Sequence, residues 1–276
     1  MVEEYSGRHQ VIARRNEYNL GLVEHVNLAF KVAAGDVIVA AAGDDISMPM
    51  RVERLAEQFM DVDSPLVVHS SVIAISEQGH VLDQRVPPIS SAIALERSVE
   101  TSIGLYIGAS GAWSKELYKI YGPIVEQHCY EDGVLGFRAL ILNRCKYINE
   151  PLVFYRMNTG ITWTLDNPDG FVSSWQMERK RLAMFLALMR QRRLDIEVVK
   201  GEICANKYFE LANSLDGEIR VLSMRRYLLM SIPVIIKALV LGEASLVRSA
   251  IREELKVLEI SIKAGLSRFL KDRGRK

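Results

Sequence analysis

The feature that most constrains the fold is a short apolar run, VIVAAA at residues 37–42, which lies between two helical patterns. Apolar side chains recur with a helical period from Leu22 to Ala34, and again in the amphipathic segment from Met50 to Met60. An unbroken apolar run between two helices is typical of a central strand in a parallel sheet, buried on both faces. The sequence therefore predicts an α/β fold with a central strand at residues 37–42.

The alternation of strands and helices continues to about residue 165, and beyond residue 170 the pattern is helical throughout. We therefore expect an α/β body over residues 1–165 and a helical C-terminal extension over residues 166–276. A further helix is predicted over residues 129–145 and a loop with a short helix over residues 83–98. Further strands are predicted over residues 10–15, 65–76 and 146–157, the last broken at Pro151.

Charge is distributed unevenly along the chain. Residues 1–170 contain 14 Lys and Arg against 22 Asp and Glu, whereas residues 171–276 contain 21 against 12, so the two parts carry −8 and +9. A body with this acidic balance argues against nucleic acid as a partner of the whole protein. The basic extension is the candidate for peripheral contact with an anionic membrane, and packing of its helices on the body is the alternative.

Cysteine usage and the apolar segments indicate the compartment. Cys129, Cys145 and Cys204 are odd in number and lack CxxC spacing, which predicts reduced thiols rather than a disulfide framework or a zinc site. The first residues contain no apolar signal segment, and the apolar stretch over residues 228–241 is too short and interrupted to cross a bilayer. We expect a cytoplasmic protein, with the inner face of the membrane as an alternative position.

Two aspartates follow the predicted central strand, in Gly43-Asp44-Asp45. Ligands of open α/β sheets bind beyond the carboxyl ends of the strands, where carboxylate oxygens can bind a hard cation such as Mg²⁺ or Mn²⁺. The alternative is that Asp44 and Asp45 accept hydrogen bonds from amides at the start of the next helix.

Two later segments contain further candidates. Glu131 and Asp132 lie in the first turn of a predicted helix, where a carboxylate can act as a general base or can simply stabilise the helix. Arg138, on the same helix, can pair with a carboxylate or phosphate, or lie on a solvated face. Arg156 follows a strand and can neutralise a diphosphate, or be an ordinary surface arginine.

In their order along the chain, these segments resemble family 2 glycosyltransferases, which have a GT-A fold. The segment YEDGVLGFRALILNRCKYINEPLVFYRMN resembles the acceptor side of that family, with its "ED" helix, its arginine and an "epL-x-x-YR" motif. The resemblance covers residues 8–165 and implies a Rossmann-like mixed sheet flanked by helices. On the donor side, the residues that match the family pattern are Asn19, Gly21, Asn27, Ala34, Gly35, Asp36, Asp44, Asp45, Pro49 and Leu55.

The resemblance implies transfer of a sugar, with inversion, from a nucleoside-diphosphate sugar to a hydroxyl of a saccharide or lipid-linked acceptor. Such a reaction belongs to the biosynthesis of cell-surface polysaccharide or glycolipid. By the same resemblance, Asp44 binds a Mg²⁺ or Mn²⁺ ion that bridges the diphosphate, and Asp45 lies beside it.

The resemblance also assigns the acceptor side. Asp132 is the expected base on the acceptor hydroxyl, and Glu131 is the second choice. Arg156 is expected near the donor phosphates, and Arg138 is a further candidate for binding them.

The chain departs from the family pattern at two places. Ala42 stands where the metal motif often begins with an aspartate, and nothing in residues 1–10 resembles the first two strands that bind the nucleoside. We therefore expect a domain that lacks its first strands, with an exposed edge on strand 37–42. The alternative function is an inactive GT-A-like protein that serves as a binding or membrane-associated assembly subunit.

Overall fold

A computed structural model describes residues 7–85, 105–157 and 171–240 of the chain, with the side chains of residues 171–176 and 228–240 left out. The elements in chain order are α1 (Gly21–Val32), β1 (Val37–Val39), β2 (Ile46–Ser47), α2 (Arg51–Phe59), β3 (Val67–Ile75), β4 (Val81–Arg85), β5 (Ala112–Ser114), α3 (Lys115–Tyr121), α4 (Glu131–Ile141), β6 (Cys145–Arg156), α5 (Phe171–Val198) and α6 (Ala205–Val240).

The described strands form one mixed sheet in the order β1-β5-β3-β6-β2, with β4 also paired to β3. Strands β3 and β6 are parallel, and the other pairs are antiparallel. One edge of β3 is shared by β5, opposite Val67 and Val68, and by β4, opposite Val72 to Ile75. The fold is thus mixed α/β and GT-A-like, as the sequence predicted.

Helices cover both faces of the sheet. On one face, α1, α3, α4, α5 and α6 enclose a large core that includes Phe30, Trp113 and Phe137. On the other face, Leu55 of α2 packs with Val68, Ala112 and Leu152. Burial of these apolar side chains, at about 25 cal/mol per Å², is the main force that holds the layers together.

The predicted central strand is shorter than expected and lies at the edge of the described sheet. In the described part of the chain β1 pairs only with β5, and Val37 to Val39 are half-buried rather than fully buried. Its side chains do alternate between the two cores, because Val37 and Val39 pack toward α2 and Ile38 packs toward the opposite core. The prediction of a fully buried, parallel central strand was therefore wrong.

Other differences from the prediction concern short strands. Residues 10–15 are exposed and form no strand, since no described segment pairs with them. Residues 81–85 form β4 of a hairpin, where we expected a loop from residue 83, and the rest of that predicted loop lies outside the described residues. Residues 112–114 form a further short strand, β5. Pro151 does not break β6; it lies at a register shift where Ser70 is opposite Ile148 and Ser71 is opposite Pro151.

The helical extension packs on the α/β body. Buried side chains of α5 and α6, from Leu182 to Leu222, belong to the same continuous core as Val134 and Phe137 of α4. In the described ranges, no helix is both long and apolar enough to span a membrane. The basic segment at residues 241–276, for which membrane contact was predicted, lies outside the described residues.

Candidate active site

Asp44 and Asp45 lie in the connection between β1 and β2, just beyond the end of β1. Because Ile46 is opposite Phe154 in the antiparallel pair of β2 and β6, this connection lies beside Arg156. The backbone N–H of Arg156 donates to Oδ1 of Asp45 at 2.8 Å, and its Nε donates to the carbonyl of Asp44 at 2.9 Å. The side chain of Asp44 is exposed, and that of Asp45 is half-buried.

Arg51, at the start of α2, holds the same connection from the other side. Its side chain is 1% exposed, and Nη1 donates to Oγ of Ser47 at 2.8 Å. Its Nη2 donates to the carbonyls of Ala40 and Ala109, the latter at 2.6 Å. Arg51 and Arg156 therefore fix the connection between β1 and β2, because their guanidinium groups donate hydrogen bonds to its backbone carbonyls and to the hydroxyl of Ser47.

The local charges act on Asp45 in opposite directions. Burial raises the pKa of Asp45 above its ordinary value, and the neighbouring charge of Asp44 raises it further. The hydrogen bond from the N–H of Arg156 and the positive charge of Arg51 lower it in part. The carboxylates thus lie in a partly desolvated site where added positive charge is favourable.

Glu131 and Asp132 form the first turn of α4, as the sequence predicted. Burial, followed by the negative charge of Glu131, raises the pKa of Asp132 to about 8. Burial also raises the pKa of Glu131. The glycine at position 108 faces this pair so closely that a Cβ there would lie 2.5 Å from Oε1 of Glu131.

Tyr155 connects the two acidic segments. Burial raises the pKa of its hydroxyl, and the negative charges of Asp45, Asp44 and Asp132 all raise it further. All three carboxylates are therefore within electrostatic range of this one side chain near the end of β6. Two adjacent residues add a geometric link between the segments, since the carbonyl of Ala109 accepts a hydrogen bond from Arg51 at 2.6 Å and Gly108 faces Glu131.

Arg138 does not lie where we expected. Its side chain is 2% exposed, and it binds both carboxylate oxygens of Asp195 on α5, each at 2.9 Å. It also donates to the carbonyls of Gly122 and Pro123. The expected contact of Arg138 with donor phosphates is therefore withdrawn, because its guanidinium is committed to a buried ion pair between α4 and α5.

Arg156 lies beside Asp44 and Asp45, and its guanidinium contacts backbone carbonyls. Besides the carbonyl of Asp44, its guanidinium donates from Nη1 to the carbonyls of Ser76, at 3.1 Å, and Glu77, at 2.6 Å. It thereby joins the acidic connection to the turn between β3 and β4. These contacts favour a role in positioning Asp44 and Asp45.

The donor set limits what metal could bind. Among the described residues, no cluster of three or more His, Cys, Asp or Glu side chains could hold an ion. Asp44 and Asp45 could supply one or two carboxylate ligands, which fits Mg²⁺, since this ion usually completes its shell with water and substrate phosphates. The residues therefore fit a metal that binds together with a diphosphate, and not a metal bound by the protein alone.

Comparison with known proteins bears on the donor side. Residues 1–119 match the family model described as glycosyl transferase family 2. A search of curated proteins gave no match. The glycosyltransferase match includes Asp44 and Asp45 and ends before α4, so the roles of Glu131 and Asp132 rest on geometry.

Several residues of this candidate site were not predicted from the sequence. Arg51 is the fourth residue after Ser47 and the sixth after Asp45, a spacing that could have indicated it. Tyr155 belongs to the "YR" pair of the acceptor-side motif, but only the arginine was singled out. Arg192 on α5 lies 60 positions from Asp132, and no local pattern in the sequence relates the two.

Proposed function

We propose that the chain transfers a sugar from a nucleoside-diphosphate sugar to a hydroxyl acceptor, with inversion at the anomeric carbon. The match of residues 1–119 to the glycosyl transferase family 2 model supports a sugar nucleotide as donor. The observation that supports the site most strongly is the position of Tyr155, on which the charges of Asp44, Asp45 and Asp132 all act. Donor-side and acceptor-side carboxylates are then within electrostatic range of one side chain.

On the donor side, Asp44 is the proposed ligand of Mg²⁺ or Mn²⁺, since its carboxylate is the exposed one of the pair. The bound ion would supply positive charge to the diphosphate as it departs. Asp45 orients the segment by accepting the N–H of Arg156. Arg51 and Arg156 keep the connection rigid, so Asp44 is held in place before the substrate binds.

On the acceptor side, Asp132 is the proposed general base. Its carboxylate accepts the proton of the acceptor hydroxyl while the hydroxyl oxygen forms a bond to the anomeric carbon. The bond from that carbon to the diphosphate oxygen breaks, and the nucleoside diphosphate leaves with the electron pair. Attack from the face opposite the leaving group inverts the anomeric configuration.

The pKa of Asp132 sets the pH dependence of this step. With a pKa of about 8, most of the Asp132 carboxyl is protonated at pH 7, and the ionised, basic form increases as the pH rises. Turnover should therefore rise between pH 6 and pH 8.5. A carboxylate whose pKa lies near the working pH is an efficient base.

The test is release of nucleoside diphosphate from a panel of sugar nucleotides, with Mn²⁺ and a mixture of saccharide and lipid-linked acceptors. Asp132→Asn preserves shape but removes the base, so turnover should fall about 100-fold or more. Asp44→Ala should weaken binding of metal and nucleotide together. Asp61→Asn is the matched control, because Asp61 is an exposed aspartate paired with Lys146, and its loss should leave turnover unchanged.

An inactive GT-A-like binding subunit is the second candidate function. It is favoured by one observation, the position of β1 at the edge of the described sheet. The same assay separates the two functions, since a folded chain without turnover on any donor would support the binding subunit. Peripheral membrane contact and a role in surface polysaccharide or glycolipid synthesis remain proposals that vesicle binding and acceptor screening can test.

A further inference from the structure

Arg192 of the helical extension lies directly behind the proposed base. Its side chain is fully buried, and its Nε and Nη2 donate to the carbonyl of Gly133 at 3.2 and 3.0 Å. Its guanidinium also lies 5.1 Å from the ring centre of Phe137, one turn further along α4. Arg192 therefore contacts the residue that follows Asp132 in the first turn of the helix.

The two helices approach each other too closely here for a larger residue. A Cβ added to Gly133 would lie 3.1 Å from Cδ1 of Leu188 and 3.6 Å from Nη2 of Arg192. Gly133 also donates its own N–H to Oδ1 of Asp132 at 2.6 Å. A single glycine thus receives Arg192 on its carbonyl and binds the Asp132 carboxylate through its amide.

The groups that face Asp132 carry opposing charges. The negative charge of Glu131 opposes ionisation of Asp132, and the positive charge of Arg192 favours it. The phenols of Tyr106 and Tyr155 also lie within electrostatic reach, but both have a raised pKa and are neutral near pH 8. Within the described ranges, Arg192 thus supplies positive charge that favours ionisation of Asp132.

The effects of the neighbouring acids on Arg192 indicate the same pair. Among the carboxylates that act on Arg192, Asp132 has the larger effect and Asp195 the smaller. Asp195 already accepts two hydrogen bonds from Arg138 and one from Gln191. The buried guanidinium of Arg192 therefore has Asp132 as its main electrostatic partner among these acids.

We propose that Arg192 is a positioning residue for Asp132, which holds the first turn of α4 in place and supplies the positive charge that faces its carboxylate. The inference rests on the proposed function for the role of Asp132 as the base. It makes the helical extension part of the catalytic site, because a residue beyond position 166 then sets the protonation of a residue in the α/β body.

The test measures the protonation of Asp132 directly, without turnover. The full chain is labelled with ¹³C at the aspartate carboxyl carbons, and the resonance that Asp132→Asn removes is followed from pH 4 to pH 10. In Arg192→Gln, the titration midpoint should rise, since Arg192 lowers the pKa of Asp132 and loss of an opposite charge raises a carboxyl pKa. Arg192→Lys should give a midpoint between that of the unchanged chain and that of Arg192→Gln.

The matched control is Arg193→Gln, which removes the same charge from the neighbouring position. Arg193 pairs with Glu197 and Asp216 and is partly exposed, so its loss should not move the Asp132 midpoint. An equal shift in this control, or an unchanged midpoint in folded Arg192→Gln, would overturn the proposal. If Arg192→Gln does not fold, Arg192→Met tests the same loss of charge while it keeps apolar contact with Phe137.

If neither neutral variant folds, Arg192→Lys decides. The shorter lysine lies further from the carboxylate, so its midpoint should lie a few tenths of a pH unit above that of the unchanged chain, and an identical midpoint would refute the inference. Failure of the two proposals can be told apart. A midpoint shift in a chain that turns over no donor refutes only the transferase, whereas turnover with no shift refutes only the role of Arg192.

Discussion

Replacement of Arg138 by methionine separates a structural arginine from one that binds substrate phosphate. The Arg138 guanidinium and the Asp195 carboxylate are each 2% exposed and share two hydrogen bonds of 2.9 Å. Removal of one partner of such a pair leaves an uncompensated buried charge and costs about 3–5 kcal/mol of stability. At about 2–4 °C per kcal/mol for a chain of this size, the melting temperature should fall by roughly 6–20 °C.

The loss should depend on pH in a defined direction. Burial already raises the pKa of Asp195, and Arg138 opposes that effect, so the pKa rises further in Arg138→Met. Above about pH 4 the folded variant then binds a proton that the unfolded chain has released. Its stability deficit should therefore be smallest near pH 4 and should grow as the pH rises.

Thermal unfolding of the full chain at pH 4.5, 6 and 8 measures this deficit. The double variant Arg138→Met/Asp195→Leu removes both charges and should recover much of the lost stability. The control is Arg144→Met, which breaks an equally well-formed pair with Glu116 that is partly exposed and should cost only about 0.2–1 kcal/mol. An unchanged melting temperature in Arg138→Met, with weaker nucleotide binding, would refute the structural role.

Three further predictions concern other buried or constrained positions. His69 is fully buried, neither ring nitrogen has a partner among the described residues, and burial lowers its pKa to about 4. The unchanged chain should therefore lose about 3 kcal/mol of stability between pH 6.5 and pH 4, because the unfolded chain binds a proton that buried His69 does not. In His69→Leu this loss should be absent, as measured by urea unfolding. Gly108→Ala should displace the flexible carboxylate of Glu131 and lower turnover several-fold with little change in melting temperature. Arg156→Met should release the carbonyl of Asp44 and weaken nucleotide binding in the presence of Mn²⁺ about 10-fold, measured by calorimetry.

The sequence predicts the helices and strands of this fold better than it predicts which of them pack or pair with one another. Helical periodicity located α1, α2 and α4 to within a few residues, because an amphipathic stripe is a local property. The place of β1 in the sheet depends on which strand pairs with it. Strand β5 is only three residues long and follows a Gly- and Ser-containing loop, so no local pattern indicated the pairing that puts β1 at an edge.

The same distinction applies to the site. Acidic pairs at a strand end and at a helix start were visible as motifs, and the charges of Asp44, Asp45 and Asp132 all act on Tyr155. The environment of each arginine was not visible, since burial depends on contacts between distant segments. In the sequence, Arg138 and Arg156 were both candidates for binding phosphate. In the structure, Arg138 is buried against Asp195, whereas Arg156 binds backbone carbonyls beside Asp44.

The central claim is that the two acidic segments serve one transfer reaction. The most direct test measures the rate at which nucleoside diphosphate is released at pH 8 in the presence of Mn²⁺, a panel of donors and an acceptor. The unchanged chain should release the nucleotide in an acceptor-dependent manner. Asp44→Ala and Asp132→Asn should each lose at least about 100-fold of that rate, while Asp61→Asn retains it. Release that persists in both variants at the rate of the unchanged chain would contradict a shared site.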